Sequence, residues 1–252
     1  MRSVKCSLAA IALLGLVGSV RADDEARKIV DKAIKAHGGA DKLAKFKDKS
    51  ILMKSKMKIF EPMELDATME SSVAGEKFRH VLQLNVMGMD ISQTIVYDGK
   101  EMWIALNGKV IMTLNKEDEL KAIKEMIYAE KMAGMAFLGD KKVELAIIGE
   151  DKVNDTPVVG VRVSSKDHKD INLYFDKETG MLAKMNSQGL DFQTQQEVAE
   201  ERILSDYKEF EGVKRPSKVT VSRGGKKYIE LEITEMKVVD KVDDDTFDKP
   251  KE

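Results

Sequence analysis

Three histidines, His37, His80 and His168, are the side chains best suited to acid–base or metal chemistry near neutral pH. None lies two, three or four residues from another, so no pair can grip a metal from one helix turn or one strand face. The single cysteine, Cys6, sits near the start of the chain, where it could serve neither as nucleophile nor as part of a zinc cluster. No Gly-x-Ser-x-Gly elbow occurs, and Gly224-Gly225 lacks the Gly-Lys-Ser/Thr ending of a phosphate loop. The acidic run from Asp240 to Asp248 offers oxygen ligands without the spacing or central glycine of a calcium loop, and reads as a solvated tail. Scattered Asp and Glu can still meet in space as an acid/base pair, which leaves a hydrolase open. The reading is of a protein that is not an enzyme, with no metal and no cofactor.

What the sequence offers instead is apolar surface at regular spacing, rich in methionine, with 15 in the chain. Methionine is flexible and polarizable, so it suits both irregular cores and surfaces that repack around varied ligands. Met53, Met57, Met69, Leu82, Ile95, Trp103, Leu173 and Phe175 fall on inward rows of candidate strands. Met126, Ile127, Met132 and Phe137 follow on a candidate helix and its apolar tail, and would close over those rows as a lid. These twelve are the expected lining of a site for an apolar ligand; for any single one of them, plain core is the favoured reading.

The elements that must position them centre on residues 91–138. Asp98-Gly99 and Asn107-Gly108 split three short apolar runs, and such pairs supply the positive φ angles of tight hairpin turns. A three-strand meander is therefore expected, carrying the only tryptophan. Asn115 then reads as the N-cap of a helix with Leu120, Ile123, Met126 and Ile127 on one face. Ahead of this, Asp24 reads as the cap of a helix with Ala26, Ile29, Val30, Ala33 and Ile34 along one stripe, ended by a capping His37 and Gly38. Ser50 to Phe60 alternates strictly, with Ile51, Met53, Met57 and Ile59 opposite Lys54, Lys56 and Lys58. Pairing its apolar row with Met63, Leu65, Ala67, Met69 and Val73 places Lys58 opposite Glu64 and Lys56 opposite Asp66, each pair worth about 0.2–1 kcal/mol. His80 shares a face with Phe78 and Leu82, where a satisfied core histidine is expected. Further strands follow after Asp140, with SQGLDFQTQQ read as a loop.

Arg2 and Lys5, the apolar stretch from Leu8 to Val17 and the small-x-small site Val20-Arg21-Ala22 form a secretory signal, with cleavage expected after Ala22. Residues 23–252 are then one exported domain, expected in the periplasm and as a monomer. The formal charge of −2, made more negative by loss of Arg2, Lys5 and Arg21, argues against a nucleic-acid partner. The fold class is mainly β (α+β): about ten to eleven antiparallel strands curled into an incomplete barrel, with helices covering the concave face.

Read in order, AIKAHGGADKLAKFK, VYDGKEMW, LYFDKETGMLAKM and DYKEFEGVKRPSKVTVSRGG resemble the outer-membrane lipoprotein-sorting proteins of the LolA/LolB type. The resemblance implies an unclosed barrel of roughly eleven strands around a hydrophobic cavity that holds acyl chains of a lipoprotein or related lipid. It also implies a carrier or chaperone role in transport, with membrane transfer components as partners, and an arginine latching the lid, for which Arg79 is the candidate. Related folds act in envelope-stress signalling, so an interaction or stress-sensing module with a filled core stands as the alternative.

Overall fold

The computed structural model describes residues 16–60, 63–191 and 196–251. Two helices, α1 (Leu16–Ala36) and α2 (Ala40–Lys45), precede six strands: β1 (Ser50–Ile59), β2 (Leu65–Ala74), β3 (Lys77–Val86), β4 (Met89–Tyr97), β5 (Met102–Leu106) and β6 (Lys109–Leu114). Helix α3 (Glu117–Ala133) leads to seven more: β7 (Glu144–Val153), β8 (Thr156–Ser165), β9 (His168–Asp176), β10 (Leu182–Asp191), β11 (Gln196–Phe210), β12 (Val213–Arg223) and β13 (Lys226–Val239). All pair antiparallel in one open sheet, ordered β6-β5-β4-β3-β2-β1-β13-β12-β11-β10-β9-β8-β7. Two meanders are thus joined by the β1–β13 pair, and α3 connects the two free edges. The sheet is mainly β and unclosed as expected, with thirteen strands instead of ten or eleven, because each Asx-Gly and Gly turn ends a strand of its own, down to the short β5 and β6.

Helix α3 lies within the curl. Leu120 and Ile123 pack on Phe78, Tyr97, Met102, Ile104 and Leu114 of β3–β6, with Met126 and Ile127 partly buried beside them. Further along, Tyr128, Ala129 and Met132 join a larger core with Ala26, Val30 and Ala33 of α1, Leu43 of α2, and Val161, Leu173, Phe175 and Met185 of β8–β10. Burying each large side chain of this kind is worth about 1.5–3 kcal/mol, so both walls of the sheet hold the helix.

Several sequence expectations change in detail. The β1–β2 register is offset by two residues: Lys58 faces Asp66, Ile59 faces Leu65 and Met57 faces Ala67. An even offset keeps every side chain on its face, so the lysine row stays outward while Met63 is left exposed in the turn region. Helix α3 starts one residue later than expected, after Lys116, and the Glu119 carboxylate accepts from the Asn115 and Lys116 N–H groups at 3.2 Å each, taking the capping role from Asn115. Asp24 lies inside α1, which begins eight residues earlier at Leu16, and so does not cap it. Most of the proposed signal, residues 1–15, lies outside the described residues. His37 is buried, with Nδ1 2.7 Å from the Ala33 carbonyl, and burial lowers its pKa to about 4; it caps as a neutral ring and not as a cation. Of the expected loop SQGLDFQTQQ, the part through Asp191 is strand, since each residue from Asn186 to Asp191 pairs with β11, and residues 192–195 lie outside the described residues. The acidic tail is not wholly solvated: Phe247 is buried with Val96 and Trp103, and Val242 packs beside them.

Candidate functional site

Strand alternation sorts the side chains of the open barrel onto two faces. On the concave side, Met57, Ala67 and Leu82 are buried and Ile59, Met69, Leu84, Ile229 and Leu231 half-buried in one cluster, every member of which comes from a strand. It spans β13, β1, β2 and β3, and at one strand spacing of about 4.8 Å its floor is roughly 14 Å across. Unlike the clusters beneath α1 and α3, this trough has no helix residue among its members.

Its polar borders are built in. Along β1–β3, the buried hydroxyl of Ser71 lies 2.9 Å from His80 Nδ1, and burial lowers the His80 pKa to about 4, so the ring is neutral at pH 7. The expectation of a satisfied core histidine holds. On the other side, β11 turns two charges inward. Met185 faces Arg202 and Ser187 faces Glu200 across β10–β11, so Val198, Glu200, Arg202 and Leu204 share the concave row. Arg202 then faces Val221, and Val221 faces Ile229 of the trough. The Glu200 carboxylate, 4% exposed, accepts from Arg202 Nε at 2.7 Å and from Arg223 Nε and Nη2 at 3.1 Å each. Gly189 makes room for this carboxylate, because a Cβ there would lie 2.8 Å from Glu200 Oε2. Arg223 also stacks over Tyr228 at 3.9 Å, and Arg202 reaches Glu130 of α3 with its Nη1. Burial pushes the Glu200 carboxyl up against the opposing pull of Arg223, and burial, then Arg223, lowers the Arg202 pKa to about 10. Local charge is therefore tightly held in a poorly hydrated place.

A second opening lies where α1 crosses the β7 edge. A cleft of about 450 Å³ is lined by Ile29, Ile147, Val159 and Phe175, with Lys28, Lys32, Glu25 and Glu150 at its rim. That volume falls within the roughly 300–1,000 Å³ usual for small-molecule sites. A third depression, about 340 Å³ on β9–β12, is polar, with Asp170, Asn172, Asn186, Gln188 and Glu201 around it. Among the described residues no group of three or more His, Cys, Asp or Glu could hold a metal ion.

The twelve residues expected to line one cavity are distributed among distinct places. Met57, Met69 and Leu82 are in the trough, and Met53 lies beyond Ser55 on the same inward row of β1 without joining it. Ile95, Met126 and Ile127 pack between α3 and β3–β6. Leu173 and Phe175 are fully buried under α1, with Phe175 also reaching the cleft. Met132, expected in the lid, is buried in that same core and Phe137 packs half-buried against it, beside buried Met135 and Leu138, and Arg27 donates to the Leu138 carbonyl at 2.8 Å. Trp103 is misplaced by the sequence reading: its neighbours Met102 and Ile104 point inward, so Trp103 points to the convex face and packs on Val96 and Phe247. Arg79 likewise stands between Ser72 and Val96 on the convex face and cannot reach α3; Arg202 makes that tie. Glu200 and Arg202 were missed, though their spacing with Leu204 marks them as inward residues.

No protein-family model and no curated protein matches the chain. Solved structures do. A LolA superfamily protein from Nitrosomonas europaea aligns over 89% of this chain and 97% of its own at a TM-score of 0.54 and 12% identity. A domain described as an outer membrane lipoprotein-sorting protein, from Vibrio parahaemolyticus, covers 90% and 97% at 0.51 and 11%. A DUF1329 family protein from Desulfovibrio piger covers 88% and 97% at 0.55 and 11%. The fold is LolA-like.

Proposed function

We propose that this chain is an exported carrier that shelters the acyl chains of a lipid or lipoprotein on its concave face, without covalent chemistry. The observation that carries the reading is the trough: a methionine-containing apolar floor on β13–β1–β2–β3 with no helix residue in it, while α1 and α3 pack on β7–β10 and β3–β6 to either side. Each methylene moved from water onto such a floor gains about 0.8 kcal/mol, so one chain can offset the cost of being ordered. The apolar cleft beside α1 adds a second place for such a chain to enter. The fold it shares with lipoprotein-sorting domains fits this use, and the signal-like N-terminus fits export to the periplasm.

The test is to purify the mature protein gently from the periplasm, record its native mass and extract it for lipids, alongside Met69→Glu. Co-purifying acylated ligand that Met69→Glu loses, with an unchanged circular dichroism spectrum, supports the carrier. A bare mass and no uptake of dodecanol by the wild type refutes it. That result would favour an envelope interaction or stress-sensing module, for which the sheet's free β6 edge, with Ile111 exposed, is the candidate partner surface.

A further inference from the structure

Two guanidinium groups stand on the concave face beside the trough and share one buried carboxylate of the sheet, Glu200. The sheet's own balance at this point is two cations to one anion. The second anion is Glu130, which comes from α3 and keeps 58% of its side chain exposed, while Arg202 keeps only 16%. A buried cation needs an anion close by, and a largely hydrated carboxylate is a replaceable one.

The position is also right for an amphiphile. Arg202, Val221, Ile229 and Ile59 form one cross-strand row, so Arg202 stands two strand spacings, about 10 Å, from the near side of the apolar floor at Ile229 and five, about 24 Å, from its far side on β3. Arg223 lies two residues beyond Val221 on the same strand, at the Gly224-Gly225 hairpin tip, where the concave face meets solvent. Guanidinium forks match carboxylate and phosphate oxygens in bidentate geometry.

We infer that Arg202 and Arg223 receive the anionic head of a single-chain amphiphile whose tail lies along the trough, and that this head displaces Glu130 from Arg202. The inference rests on the trough being the ligand site. The head is a carboxylate or a phosphate ester, and the chemistry of the two arginines serves both. Displacing Glu130 also removes one polar tie between α3 and the sheet, leaving Lys131 to Glu76 and Glu125 to the Lys169 N–H and His168.

Titration calorimetry with dodecanol, dodecanoate and dodecyl phosphate tests this on the delipidated chain at pH 8. The acid or the phosphate binds about tenfold to a hundredfold more tightly than the alcohol, the worth of one or two charge-assisted hydrogen bonds, and the tighter of the two names the head. Glu130→Gln widens that preference, because the competing carboxylate is gone, and Arg223→Gln narrows it. Glu130→Gln keeps the test decisive if an arginine variant folds poorly. If dodecanol binds and neither anion binds more tightly, or if Glu130→Gln leaves the preference unchanged, the headgroup site is refuted while the carrier stands. If none of the three binds, both fail.

Discussion

Replacing Glu200 by glutamine should destabilise the protein by about 2 kcal/mol at pH 7. The carboxylate holds three charge-assisted hydrogen bonds, at 2.7, 3.1 and 3.1 Å, from two arginines. The amide keeps the shape and one acceptor but turns an N–H group toward a guanidinium. Losing two such bonds at the low end of their range costs about 3 kcal/mol. Two effects reduce that figure. Burial of the carboxylate is itself unfavourable, as its raised pKa shows, and Arg202 and Arg223, at 16% and 19% exposure, can partly rehydrate. For a chain of this size 2 kcal/mol corresponds to roughly 4–8 °C in Tm. Urea and thermal unfolding followed by circular dichroism measure it, and the double variant with Arg223→Gln closes the cycle, with a coupling of about 1 kcal/mol or more. A Glu200→Gln protein as stable as wild type would mean that the desolvation cost equals the pairing energy, and the cluster would then contribute nothing to stability.

Acid should weaken the fold between about pH 6.5 and 4. His37 and His80 are held neutral in the folded state, both at about 4, so the unfolded chain binds more protons in this window and stability falls with pH. For buried His37 alone, going from pH 7 to pH 5 costs about 1–2 kcal/mol, and His37→Gln should flatten the dependence of the urea midpoint. Phe247→Ala should release the tail from the convex face, shifting the emission of the sole tryptophan, Trp103, to the red while changing global stability by less than about 1 kcal/mol; an unshifted spectrum would contradict the packing. Gly38→Ala should cost more than about 1 kcal/mol, because the residue has φ +127° and a Cβ there would sit 2.5 Å from the Gly212 carbonyl, a backbone contact with no side chain to give way. Met126→Glu together with Ile127→Glu should separate α3 from β3–β6 and abolish dodecanol uptake while the sheet signal persists; unchanged uptake would show that this helix face does not govern the site.

The sequence by itself determined which side chains share a face. Alternation in β1 separated Met53 and Met57 from Lys54, Lys56 and Lys58, and a register offset of two residues left that separation intact, because the strand period is two. The Asx-Gly pairs marked hairpin turns for the same local reason: few residues accept the backbone angles those turns need. Tertiary structure alone decided which face is concave, and so turned Trp103 outward: in a five-residue strand with both neighbours apolar, alternation names two faces without saying which one curls around α3. It also decided that Met132 and Phe137 fill space beneath α1 and α2, since an apolar helix tail reads alike as lid or as core until its neighbours are known. The ionic cluster depended most on the fold. Glu200, Arg202 and Arg223 meet because β11 pairs with β12 in one register, and Glu130 joins them because α3 runs from one edge of an open sheet to the other; the Glu130–Arg202 contact spans 72 residues of chain and is encoded in no local pattern.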